Sequence, residues 1–327
     1  MSIGNEKEND RDYFDYLTSR IEECLFTVDD YGKCDDSMEI DFHISKILKR
    51  YPDYGVAAVR HCIKDIHTEK DEAYGMSLRF NTLSTMAKFL PSLTNDVVSV
   101  MKYELASEVN DDYSLRIGLE DLFFISENCR SSIRSLELAK NILTAYEVGV
   151  TNKKNNGHSL YNGCECLKKM MADSWIFKEN PGLAENGIEV LGKGMISEKN
   201  TAGAKLLKSE FCILSDIVSK RWHFAENPSF VEKVVDISKV MLANKNNDSD
   251  SLDMGYNVLL TILMNYPQYR KCPELMKKVE KAFGEGMANE NNSKGSLDKI
   301  ANIKKKLLAP QQPSFRGVPN QSCENTK

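Results

Sequence analysis

The sequence predicts an all-α fold, a right-handed α-α superhelix of about six stacked helical hairpins, and three periodic features predict it. The first is proline. Pro52, Pro91, Pro181, Pro228 and Pro273 follow one another at 39, 90, 47 and 45 residues, and Ser131 fills the slot inside the long gap. The second is leucine, with Leu78, Leu115, Leu160, Leu206 and Leu252 at intervals of 37, 45, 46 and 46. The third is a repeated heptapeptide. Trp175 to Pro181 (WIFKENP) and Trp222 to Pro228 (WHFAENP) share five of seven positions at an offset of 47.

Each feature marks one helix of the hairpin. A proline suits the first turn of a helix, where its missing N–H would have been unpaired and its fixed φ is already helical. Asn180 and Asn227, just before two of these prolines, are expected to be N-caps. Two positions past the anchors stand Tyr54, Leu93, Ile133, Leu183, Phe230 and Leu275, each opening a core-facing stripe. The leucines mark the second helix. Three residues beyond them lie Asn81, Gly118, Gly163, Ser209 and Gly255. Glycine in a helix interior costs about 1 kcal/mol against alanine, so a small residue recurring at one register predicts a close helix crossing. Leu122, Leu167, Ile213 and Leu259 then continue the apolar spacing. Neither helix can bury its apolar face alone, so neighbouring hairpins must complete each other's cores.

The expected domain plan is a disordered N-terminus over 1–9, a helical cap over 10–50, repeats over 51–308 and a disordered, proline-containing tail over 309–327. Composition agrees with a packed helical core: 41% of the 327 residues are hydrophobic and 28% charged, with only 9 Pro and 18 Gly. The net charge of -5 provides no overall attraction to nucleic acid or anionic lipid, so neither is an expected partner. The polar N-terminus, the lack of a long apolar run and nine irregularly spaced cysteines lead us to expect a reduced cytoplasmic setting, with the nucleus as the alternative.

Helical pairs of this period, with proline at the first helix and small residues in the second, resemble the armadillo/HEAT superfamily of α-solenoids over roughly 37–308. The resemblance implies scaffolding, with a concave face that holds extended peptides, helical proteins or, in some members, nucleic acid. Importin-α-type peptide recognition uses Trp and Asn one helical turn apart. Here the residue four past each Trp is Glu179 or Glu226, so Trp175, Phe177, Trp222 and Phe224 are expected to pack between repeats.

Candidate chemistry is sparse. His61 and His67 are six apart, which places them on opposite sides of a helix, and Cys62 beside them does not complete a metal set. Cys164 and Cys166 diverge in a helix, and Gly192-Lys193-Gly194 lacks the rest of a phosphate-binding loop. No catalytic residue, cofactor or metal is therefore expected. The acidic cluster Asp29, Asp30, Asp35 and Asp36 and the basic run Lys304 to Lys306 read either as solvated surface or as a mouth selecting charged partners. The leading expectation is a non-catalytic scaffold or adaptor whose second helices hold a protein partner, an extended segment or a helical domain, through exposed Tyr161, Glu165, Lys168, Lys208 and Tyr256. The alternatives are a nucleic-acid-binding repeat protein, and a secreted effector or enzyme whose residues are scattered over several repeats.

Overall fold

The computed structural model describes residues 73–128, 135–173, 175–196, 204–219 and 227–295, together with 19, 297–298 and 301. The expected cap over 10–50, the tail over 309–327, Pro52, Tyr54, His61, His67, the acidic cluster, the lysine run, Ile133, Trp222 and Phe224 lie outside them, as does the Trp175 side chain. The described residues form eleven α-helices and no strand. These are α1 (Ala73–Phe89), α2 (Thr94–Leu105), α3 (Asp112–Asn128), α4 (Leu136–Thr151), α5 (Gly157–Asp173) and the short α6 (Trp175–Glu179). They continue as α7 (Pro181–Met195), α8 (Ala204–Ser219), α9 (Pro228–Leu242), α10 (Ser249–Asn265) and α11 (Pro273–Met287).

The helices stack in two layers. Layer A runs α1, α3, α5, α8, α10, and layer B runs α2, α4, α7, α9, α11, each helix packing on the next member of its own layer. A single apolar cluster lies between the layers and runs from Met76 to Phe283, with Phe177 of α6 buried in it. Among the described residues the six expected hairpins appear as four, namely α2/α3, α4/α5, α7/α8 and α9/α10, flanked by α1 and α11.

The proline anchors behave as the sequence predicts at Pro181, Pro228 and Pro273, each the first residue of its helix, while Pro91 opens a 3-10 turn leading into α2. Leu93, Leu183, Phe230 and Leu275 are all buried. Asn227 caps α9 by accepting from the Ser229 N–H. Asn180 does not cap α7. Its Nδ2 instead donates to the Ile176 carbonyl, closing α6. The slot given to Ser131 is outside the described residues, and α4 begins later, capped by Ser135.

The leucine register needs one correction. Leu115, Leu160 and Leu252 are buried, but in α8 it is Leu207 that is fully buried while Leu206 is half-exposed. The connection before α8 is one residue longer than the leucine count implied. The small slot there consequently belongs to Glu210, fully buried, rather than to Ser209. At the other end Asn81 is exposed and marks no crossing. Gly118, Gly163 and Gly255 do sit at close approaches, but the space is taken by neighbouring side chains rather than by a second backbone. A Cβ on Gly163 would stand 2.6 Å from Leu119 Cδ1, and one on Gly118 2.8 Å from Leu105 Cδ2.

A polar ladder runs along the edge where layer B turns into layer A. Asn110, Asn155, Asn247 and Asn292 each use Nδ2 to reach a carbonyl six residues back, on Glu104, Gly149, Met241 and Gly286, at 2.7, 2.9, 2.7 and 2.6 Å. Each satisfies an orphan carbonyl at a helix C-terminus. A second asparagine joins neighbouring turns: Asn152 donates to Leu105 O at 2.7 Å, and Asn289 to Asn244 O at 2.9 Å. The underlying pattern is N-x-x-N at Asn152/Asn155, Asn244/Asn247 and Asn289/Asn292, with Ser107 and Asn110 as the first copy.

Candidate partner-binding face

The second helices turn one stripe outward. Counting by repeat, Arg116, Tyr161, Lys208 and Asp253 form one row across α3, α5, α8 and α10, all half-exposed. Glu120, Glu165, Cys212 and Asn257 form the next, and Phe124, Lys169, Asp216 and Thr261 the third. Helical periodicity keeps these positions on one side, because residues three and four apart share a face.

Most charges in these rows already have partners. Lys168 Nζ lies 2.8 Å from Glu165 and 3.0 Å from Asp216, linking α5 to α8. Lys208 reaches Asp250 at 2.9 Å, linking α8 to α10. Arg116 pairs with Glu120 at 3.3 Å and lies 5.1 Å from the centroid of the Tyr113 ring. Beside these pairs the stripe exposes large apolar side chains. Tyr113 is 51% and Phe124 54% exposed on α3 and Met264 65% on α10, while Ile117, Phe123, Tyr161, Cys166 and Met254 are half-buried against the core.

The five residues singled out from sequence separate here. Tyr161, Glu165 and Lys208 lie half-exposed on the outward stripe. Lys168 is buried. Burial opposes its charge, but hydrogen bonds to Glu165 and Asp216 outweigh that and hold its pKa above the ordinary lysine value. Tyr256 is not exposed: its ring stacks on Phe283 with centroids 6.0 Å apart, and its hydroxyl donates to Asn292 Oδ1 at 2.9 Å. A tyrosine buries readily when its hydroxyl finds a partner, and burial pushes this one up to about 12. The leucine register alone does not single out α3. Counting 45 residues back from Tyr161, Glu165 and Lys169 reaches its Arg116, Glu120 and Phe124.

The outer face of layer B differs in kind. Lys193 joins Glu147 and Glu189, Lys233 joins Glu189, and Lys278 joins Glu232 and Asp236, so a line of ion pairs crosses from α4 to α11. Exposed pairs of this type contribute roughly 0–1 kcal/mol each, so they fix lateral register more than they stabilise. A cleft of about 470 Å³ between α4 and α7 is lined by Lys140, Thr144, Glu147, Asn186, Glu189 and Lys193, so this ladder runs through it. Lys193, of the Gly-Lys-Gly sequence, is thus a ladder residue within α7.

The thiols of the C-x-C pair are shielded. Burial pushes Cys164 well above the ordinary thiol range and Cys166 to about 11, which keeps both protonated and weakly nucleophilic at neutral pH. Among the described residues no group of three or more His, Cys, Asp or Glu side chains is placed to hold a metal ion, and no helix is long and apolar enough to cross a membrane. No family model, curated protein or solved structure matches this chain.

Proposed function

We propose that the chain is a protein-binding scaffold of armadillo/HEAT type, whose partner, an extended segment or a helical domain, lies along the outer stripe of layer A. One observation carries this reading. Tyr113, Phe124 and Met264 leave more than half of their surface in water on that stripe, beside charges that already pair within the array. Large apolar anchors with satisfied polar neighbours are the usual source of binding energy at a protein interface, where a few aromatic side chains dominate. Tyr161, Glu165 and Lys208 would frame the anchors. The outer face of layer B also exposes Tyr103 at 55% and Val240 at 46%, but these stand at opposite ends of a row that half-buried Val148 and the ion-paired Lys193 occupy between them.

The test compares the two faces. Partners are recovered from native extract, identified by mass spectrometry, and titrated against the full chain. The double variant Tyr113→Ser, Phe124→Ser and the variant Lys208→Glu should weaken binding by tenfold or more, about 1.4 kcal/mol, while Lys239→Glu in layer B should leave it unchanged. Equal affinity of the layer A variants and the unaltered chain would retire the assignment.

A further inference from the structure

Layer B carries a column of buried aliphatic side chains along the flank that each helix turns toward its successor. Val98 in α2, Leu143 in α4, Ile188 in α7 and Val235 in α9 follow at 45, 45 and 47 residues, and all four are buried. The next step of 45 reaches Glu280 in α11, which is exposed. A second column beside it runs Thr94, Ala139, Ala184 and Val231, all buried, and ends at half-exposed Met276.

The polar positions on this flank change with it. In α7, Glu185 and Glu189 accept from Asn227, Ser229 and Lys233 of α9. In α9, Glu232 and Asp236 accept from Lys278 of α11. The equivalent residues of α11 are Lys277 and Lys281, both exposed, so a helix of the repeat type would bring its own lysine against two lysines. Gly284 shares its position with Gly192 of α7, whereas α2, α4 and α9 carry Lys102, Glu147 and Lys239 there. A Cβ on Gly192 would meet Ile237 of α9 at 2.8 Å, whereas one on the equivalent Gly284 meets nothing within 4 Å.

We infer that the α11 flank is a cap that refuses a further helix of the array and the like flank of a second copy. Glu280 replaces the apolar centre of the contact and is the decisive change; Lys277 and Lys281 also replace the acidic rim of α7 and α9, although internal α4 tolerates Lys140 at the first of these positions. Solenoids need a polar outer face on their terminal element, because every internal face is sticky by construction. A glutamate forced into a helix contact would lose hydration without gaining a partner. Gly284 leaves room for close approach, so the side chains around it do the refusing.

The experiment uses the full chain with Gly284→Cys as a reporter, since two α11 flanks meeting about a two-fold axis would bring this position close to its copy. Oxidative cross-linking is followed in that background and with Glu280→Val added, using the chain without the new cysteine as control, and sedimentation velocity over a concentration series reports association directly. The expected result is no cross-link specific to position 284 when Glu280 is present. With Glu280→Val a cross-linked dimer forms, and half-dimerisation moves to a concentration at least tenfold lower. Cross-linking at 284 with Glu280 intact would show a working interface and overturn the inference. Unchanged association of the Glu280→Val chain would overturn it too, because Glu280 would then not be what keeps the flank in water.

Discussion

Glu104→Ala is expected to lower the unfolding free energy by about 3 to 5 kcal/mol, the range for removing one partner of a buried ion pair. Glu104 of α2 and Arg79 of α1 meet at 2.9 Å with side chains only 4% and 2% exposed, so the substitution takes one charged partner from a guanidinium held inside the core. The paired replacement Arg79→Met, Glu104→Leu should recover most of the loss, because two apolar side chains of similar volume carry no desolvation cost. Burial raises the Glu104 pKa, and the charge and hydrogen bond of Arg79 only partly offset it. The folded chain therefore holds this proton more tightly than the unfolded one. The stability tied to it is present below the ordinary glutamate value and is lost as pH rises through the folded pKa. Urea unfolding of the single and paired variants between pH 4 and 8 checks both statements, and the paired variant should lack this pH dependence.

Gly255→Val is expected to cost about 3 kcal/mol, at the upper end for overpacking a core. A Cβ at this position would stand 2.6 Å from Leu242 Cδ2 and 2.7 Å from Phe211 Cζ, which belong to α9 and α8. Substituting glycine within a helix normally gains up to about 1 kcal/mol, so a loss at this site measures the collision with two neighbouring helices. Gly284→Ala is the matched control. With open space around it, that change should stabilise the chain by about 0.5 to 1 kcal/mol. Equal responses at the two positions would mean that the packing around α10 is not as described.

The parts of this architecture that were legible in the sequence are those where physics leaves a residue-type signature at a fixed period. Proline at a first turn and leucine at a core position are such signatures, and Pro181, Pro228, Pro273, Leu115, Leu160 and Leu252 all stand where the period placed them. Leu206 failed because Leu207 adjoins it. Two adjacent leucines satisfy a period equally well, and only packing tells which one faces the core. Tyr256 failed for a related reason, since nothing in its neighbours announces that Asn292, 36 residues later, receives its hydroxyl. The asparagine ladder has an N-x-x-N pattern but no sequence signature of its role, because side-chain bonds to helix-end carbonyls leave no hydrophobic period. The exposed face was half legible. The leucine register points to Tyr161 and Lys208 but not to Tyr113 and Phe124, since exposure is decided by which layer a helix joins and by what covers its outer stripe.

Neighbouring hairpins complete one another's cores, and an in-register excision tests this most directly. Removing residues 181–227 joins Asn180 to Pro228 and preserves the Glu-Asn-Pro junction that precedes both helices. Far-ultraviolet circular dichroism and urea unfolding are then compared with the full chain. A stacked array should give a shorter protein with the same helical signal per residue and a single cooperative transition at lower denaturant, while removal of 181–204 alone, half a unit, abolishes that transition. Loss of the helical signal and of cooperative unfolding after the in-register excision would rule out the stacked array, because a core closed around one centre cannot lose a whole hairpin and remain folded.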